Sequence, residues 1–138
     1  MQPIRKHLYA PLRVLVYSSN ALVRRHVIGA IGRSPDSSIP TVDFIEAATR
    51  DSVMRHLASG QIDLVVLDGE ATPAGGLGVA KELRDELLQC PPVVVLTGRA
   101  ADDWLARWSC ADGVVSHPAD PIALTQTVVP LLRTRFVA

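Results

Sequence analysis

The sequence predicts one α/β domain, a (βα)5 doubly wound sheet of five parallel strands in the order 2-1-3-4-5, the flavodoxin-like arrangement. Three observations predict it. Five short apolar runs alternate with amphipathic stretches of roughly ten to fourteen residues, the pattern of parallel strands joined by right-handed helical crossovers. The central run, Ile62 to Glu70 (IDLVVLDGE), is apolar from Leu64 to Leu67 without polar alternation, as a strand covered on both faces must be. The length of 138 residues, 48% of them hydrophobic, suits a single core and leaves no room for a second domain.

Taken in order, Arg13 to Tyr17 (RVLVY) is the first strand. Ser18 to Asn20 then supply hydroxyl and amide caps for a helix whose apolar stripe is Val23, Val27, Ile28 and Ile31, ended by the stretch Gly32 to Pro40. Val42 to Ile45 is a weaker second strand. Arg50 to Ser59 is a short helix with Val53, Met54 and Leu57 inward and Gly60 as its stop signal. The central strand follows, then the loop GEATPAGG. Leu77 to Leu88 is a helix packing Ala80, Leu83, Leu87 and Leu77, stopped by Pro91 and Pro92. Val93 to Thr97 is the fourth strand, Ala101 to Ser109 a brief helix and Gly113 to Ser116 the fifth strand. Asp120 to Arg133 closes the domain as a helix with Pro121 in its first turn and Ile122, Thr125, Val128, Val129 and Leu132 on the inner side.

Fourteen basic residues cancel fourteen acidic ones, so the overall field steers the protein toward neither nucleic acid nor an anionic membrane. Residues 1–11 carry charge but no apolar run of signal-peptide length, and no stretch approaches the ~20 apolar residues that span a bilayer. The expected organisation is an N-terminal extension over 1–11, one domain over 12–135 and no output domain, in the cytoplasm. Cys90 and Cys110 are expected to be free thiols there.

Ligands of such sheets bind beyond the carboxyl ends of the strands at the switch point, here between the first and third strands. Those strands end in Ser18 and Ser19 on one side and Asp68 on the other. The run of elements, the DLVVLD strand, the strand ending in Thr97 and the strand ending in SHP together resemble the receiver domain of two-component response regulators, from about Leu12 to Arg133. In that family an acidic pair after the first strand binds Mg²⁺, and an aspartate after the third strand takes a phosphoryl group from a histidine kinase. A Ser/Thr after the fourth strand and a Lys before a proline after the fifth contact the phosphoryl oxygens. The resemblance implies that Asp68 holds the acceptor position and Thr97 the switch hydroxyl, and that Pro118 is preceded by a cis bond.

The departures are as informative. Ser18 and Ser19 replace the acidic pair, His117 replaces the Lys, and Val114 stands where an aromatic is usual. Mg²⁺ is a hard cation held by carboxylates, so the expectation is no cofactor and no metal, with Asp68 and Glu70 as a weak alternative cation pair, aided by Asp102 or Asp103. Asp68 is read first as a structural group, bonded to backbone N–H groups or to Ser18, Ser19 and Thr97, ahead of phospho-acceptance. His117 is read as a satisfied polar residue at a strand end or as a pH-sensing one. The GGLG at Gly75 to Gly78 lacks the Lys-Ser/Thr ending of a phosphate loop and is read as loop and helix start. Trp104 and Trp108, four apart in one short helix, are interface candidates.

The expected function is an atypical stand-alone receiver that is not an enzyme and acts through protein–protein interaction, independently of Mg²⁺ and phosphorylation. Its partner would be another protein or a second copy, a histidine kinase among the possibilities, docked on the face of the fourth helix, fifth strand and fifth helix. Neither nucleic acid nor membrane insertion is expected. The alternatives are a genuine phospho-acceptor at Asp68 with a remodelled site, and a flavodoxin-like module that binds a small anion over Ser18, Ser19 and His117.

Overall fold

The structure, a computed structural model, describes residues 6–7, 10–71, 75–87, 89–98 and 111–137. Its main sheet holds β2 (Leu12–Tyr17), β3 (Val42–Ala47), β4 (Leu64–Asp68), β5 (Val93–Thr97) and β6 (Gly113–Ser116), all parallel, in the order β3-β2-β4-β5-β6. This is the predicted 2-1-3-4-5 order, counted without a two-residue strand β1 (Lys6–His7) that precedes it. β1 pairs in parallel with β7 (Phe136–Val137), so the chain beyond the predicted 12–135 boundaries joins its two ends in a second, small ladder.

Alternate residues of β2, β4 and β5 enter opposite cores, which is why these strands read as largely apolar runs. Val14, Val16, Val66, Val94 and Leu96 face the layer of α1 (Ala21–Ile31) and α4 (Pro121–Leu132). Leu15, Tyr17, Val65, Leu67 and Val95 face the layer of α2 (Arg50–Ala58) and α3 (Gly76–Glu86). β4 and β5 are buried throughout.

Local signals behave as the residues dictate. The Asn20 side chain caps α1 through Leu22 N, Thr49 caps α2 through Ser52 N, and Asp120 caps α4 through Ala123 N ahead of Pro121. Gly60 has φ 73°, the left-handed conformation expected of a residue that stops a helix.

One predicted stripe is corrected. Ile122 is 68% exposed and Thr125 half-buried, while Leu124 joins the predicted Val128, Val129 and Leu132 on the buried face. At 100° per residue, a stripe that begins at Leu124 leaves Ile122 about 200° away, on the solvent side. The predicted helix Ala101–Ser109, with Asp102, Asp103, Trp104 and Trp108, lies outside the described residues, as does Cys110. Cys90 is a free thiol, and its burial raises its pKa.

Candidate functional site

The carboxyl ends of β2, β4, β5 and β6 bring Ser18, Asp68, Thr97 and His117 to one rim. Asp68 is the last residue of β4 and 3% exposed. Ser18, next after β2, is fully buried and donates from Oγ to Asp68 Oδ2 at 2.7 Å. The same hydroxyl accepts from Asn20 N at 3.0 Å. Ser18 is therefore a partner of Asp68, and the helix cap is Asn20; this corrects the reading of Ser18 as a cap. Ser19 is exposed. The Ser18 carbonyl accepts from Arg24 Nη1 at 2.6 Å, and Arg24 Nε also bonds Glu46, so the strand end is tied to α1 and β3.

Asp68 Oδ1 receives two further donors. Glu70 N lies 2.9 Å away and His117 Nε2 2.8 Å away. Because a carboxylate only accepts, the histidine nitrogen is the donor. His117 is held there by its own N–H, which donates to Thr97 O at 2.7 Å, and by a cis bond to Pro118, the isomer the resemblance implies. Gly69 N donates to Leu96 O at 2.7 Å and draws the loop after β4 against β5. Thr97 Oγ1 is buried without a hydrogen-bond partner, so the predicted bond from Thr97 to Asp68 is not made. Tyr17 lies on the other side of the strand end, and its pKa is raised, first by burial and then by the negative charge of Asp68.

Glu70 is exposed, and its carboxylate lies over Gly98. Among the described residues, no group of three His, Cys, Asp or Glu side chains comes together as metal ligands. Sequence reasoning placed Asp68, Thr97 and His117 at the rim, with His117 as a hydrogen-bond donor in place of the Lys, but did not specify which ring nitrogen meets which carboxylate oxygen. The signal for that donor was the lost Lys itself, since a histidine in its place keeps a donor opposite the carboxylate.

Comparison with known proteins follows the same lines. No family model matches the chain. Two uncharacterized response regulatory proteins of Mycobacterium tuberculosis, from strains CDC 1551 and H37Rv, are each 52% identical to it over 122 residues, spanning 88% of this chain and 92% of theirs. The chain belongs to the response regulator receiver family. Solved receivers share its fold at low identity. The chemotaxis response regulator CheY4 of Vibrio cholerae superposes with a TM-score of 0.70 at 16% identity, covering 88% of this chain and 99% of that one. The Saccharomyces cerevisiae Ssk1 receiver domain, crystallised with the histidine phosphotransfer protein Ypd1, gives 0.75 at 15% identity and covers 94% of both chains. This receiver thus carries Asp68 at the end of β4 and Thr97 at the end of β5, with Ser18 and His117 around them.

Proposed function

We propose that this receiver of two-component signalling acts through protein–protein contact, with Asp68 held in one state and with neither Mg²⁺ nor Asp68 phosphorylation required. The observation that carries this reading is the set of donors that holds the buried Asp68 carboxylate. Ser18, Glu70 N and His117 donate to its two oxygens, and its side chain is 5% exposed. Donors on a carboxylate draw off the electron density with which it would attack phosphorus, and the described residues around Asp68 supply no ion-binding set to offset the charge that develops.

The donor set does not suit Mg²⁺. A hard, near-octahedral ion needs carboxylates and water, and Ser18 and Ser19 offer hydroxyls where the family has acids. Ser18 is committed to Asp68, which also argues against the small-anion alternative over Ser18, Ser19 and His117. One observation favours the second reading, a remodelled acceptor site: the Thr97 hydroxyl is buried and unsatisfied, a donor ready for a phosphoryl oxygen. The proposed partner is a histidine kinase, a phosphotransfer protein or a second copy, docked on the side of β6 and α4, with Trp104 and Trp108, which lie outside the described residues, as the anchors the sequence offers. The proposed location is the cytoplasm; among the described residues, no helix is long and apolar enough to cross a membrane.

The test is acetyl phosphate with millimolar Mg²⁺, followed by hydroxylamine and peptide mapping at Asp68. No hydroxamate is expected at Asp68. A stoichiometric hydroxamate there would establish an acyl phosphate and overturn the reading in favour of the remodelled acceptor.

A further inference from the structure

In the Asp68–His117 pair the accessible partner is the histidine. The side chain of Asp68 is 5% exposed and that of His117 22%. Nε2 of His117 donates to Asp68 Oδ1, so the neutral ring carries its lone pair on Nδ1, because the bond made by one ring nitrogen fixes the state of the other. Nδ1 has no hydrogen-bond partner among the described residues. His117 also lines two clefts. One, of about 180 Å³, is lined by Leu22, His26, Leu96 and His117; the other, of about 400 Å³, by Val114, Ser116, His117 and Thr127. Asp120, which also lines the larger cleft, commits an oxygen to Ala123 N at 3.0 Å.

A nucleophile whose far side is oriented by a buried carboxylate is the arrangement by which proteins activate imidazole. We propose that His117 is a phosphoryl-accepting nucleophile positioned by Asp68. The proposal goes beyond the reading of Asp68 given above and does not require it. In the step, the Nδ1 lone pair forms the N–P bond while the P–O bond of an acyl phosphate, or the P–N bond of a phosphoramidate, breaks. The leaving acetate or ammonia departs with the electron pair. The Nε2 proton stays on the ring, whose new positive charge faces Asp68.

The experiment is incubation of the full chain with potassium phosphoramidate, followed by peptide mapping at alkaline pH and ³¹P NMR. The expected product is an alkali-stable, acid-labile phosphoryl on His117. It should form about 10²-fold faster than on His7, His26 or His56, a factor within the range a positioned acid–base partner contributes. Asp68→Asn should slow His117 labelling by a similar factor with the circular dichroism spectrum unchanged, and His117→Asn should leave only the background at the other three histidines. Equal labelling of all four histidines, or an unchanged His117 rate in Asp68→Asn, overturns the proposal. Should His117→Asn fail to fold, the wild-type map and the Asp68→Asn rate decide it by themselves. An acyl phosphate on Asp68, trapped as its hydroxamate in a parallel hydroxylamine quench, with His117 unlabelled overturns it as well, and an Asp68 hydroxamate is also what overturns the reading of Asp68 as a non-acceptor.

Discussion

Two glycines beside Asp68 separate a backbone requirement from an open position. A Cβ on Gly69 would sit 2.6 Å from the Leu96 carbonyl oxygen, a backbone atom held in β5 and already accepting from Gly69 N. Neither side can yield without breaking that bond. Gly69→Ala should therefore cost about 1–3 kcal/mol, the usual penalty of overpacking. At Gly98 the added methyl would meet the carboxylate end of Glu70, an exposed and flexible side chain that can swing into water. Gly98→Ala should change stability by less than about 0.5 kcal/mol. Urea denaturation of both variants checks the contrast, and equal losses would show that the loop after β4 is not pinned as described. Ser18 is the other decisive residue, since its one hydroxyl both donates to Asp68 and accepts from Asn20 N.

At the scale of elements, the unbroken apolar runs of β4 and β5 and the Asn20 cap were legible in the sequence, because burial on both faces and N-capping are local demands. On the inner face of α4, Val128, Val129 and Leu132 were legible and Leu124 was not. PIALTQTVVPLL is so rich in apolar residues that stripes through Ile122 and through Leu124 fit equally well, and only packing against β6 and α1 selects Leu124. The site was legible in part for the same reason. Strand ends place Asp68, Thr97 and His117 at one rim, but which nitrogen reaches which oxygen depends on side-chain geometry that no spacing encodes. α4 also holds Pro130, exposed and inside the helix, where it lacks an N–H and crowds the carbonyl four residues back. Pro130→Ala should raise stability by about 1–2 kcal/mol, short of the ~3 kcal/mol propensity difference because alanine also frees the unfolded chain. Thermal melts test this, and a loss of stability would mean that the proline ring packs in a way its exposure does not suggest.

For the whole molecule, the absence of the acidic pair should appear as a missing linkage between Mg²⁺ and folding. A ligand that binds only the folded state stabilises it by RT ln(1 + [L]/Kd), ~1.4 kcal/mol when the ion is at ten times its Kd, or about 5 °C in a domain of this size. Wild type, with Ser18 bonded to Asp68 and Ser19 exposed, should melt at the same temperature with and without 10 mM MgCl₂, a concentration about ten times a millimolar Kd. Ser18→Asp with Ser19→Asp replaces a donor at Asp68 with a like charge and adds a second carboxylate at the rim, beside Tyr17, whose raised pKa already registers the charge of Asp68. Without the ion, that double variant should be less stable than wild type, because buried like charges repel and the carboxylate has lost a donor. With Mg²⁺ the same three carboxylates become a hard-ligand set, so its melting temperature should climb with ion concentration while wild type stays flat. If the double variant melts identically in both conditions, the rim of Ser18, Asp68 and His117 is not a receiver site that lost its metal, and the roles read for Asp68 and Thr97 fall with it.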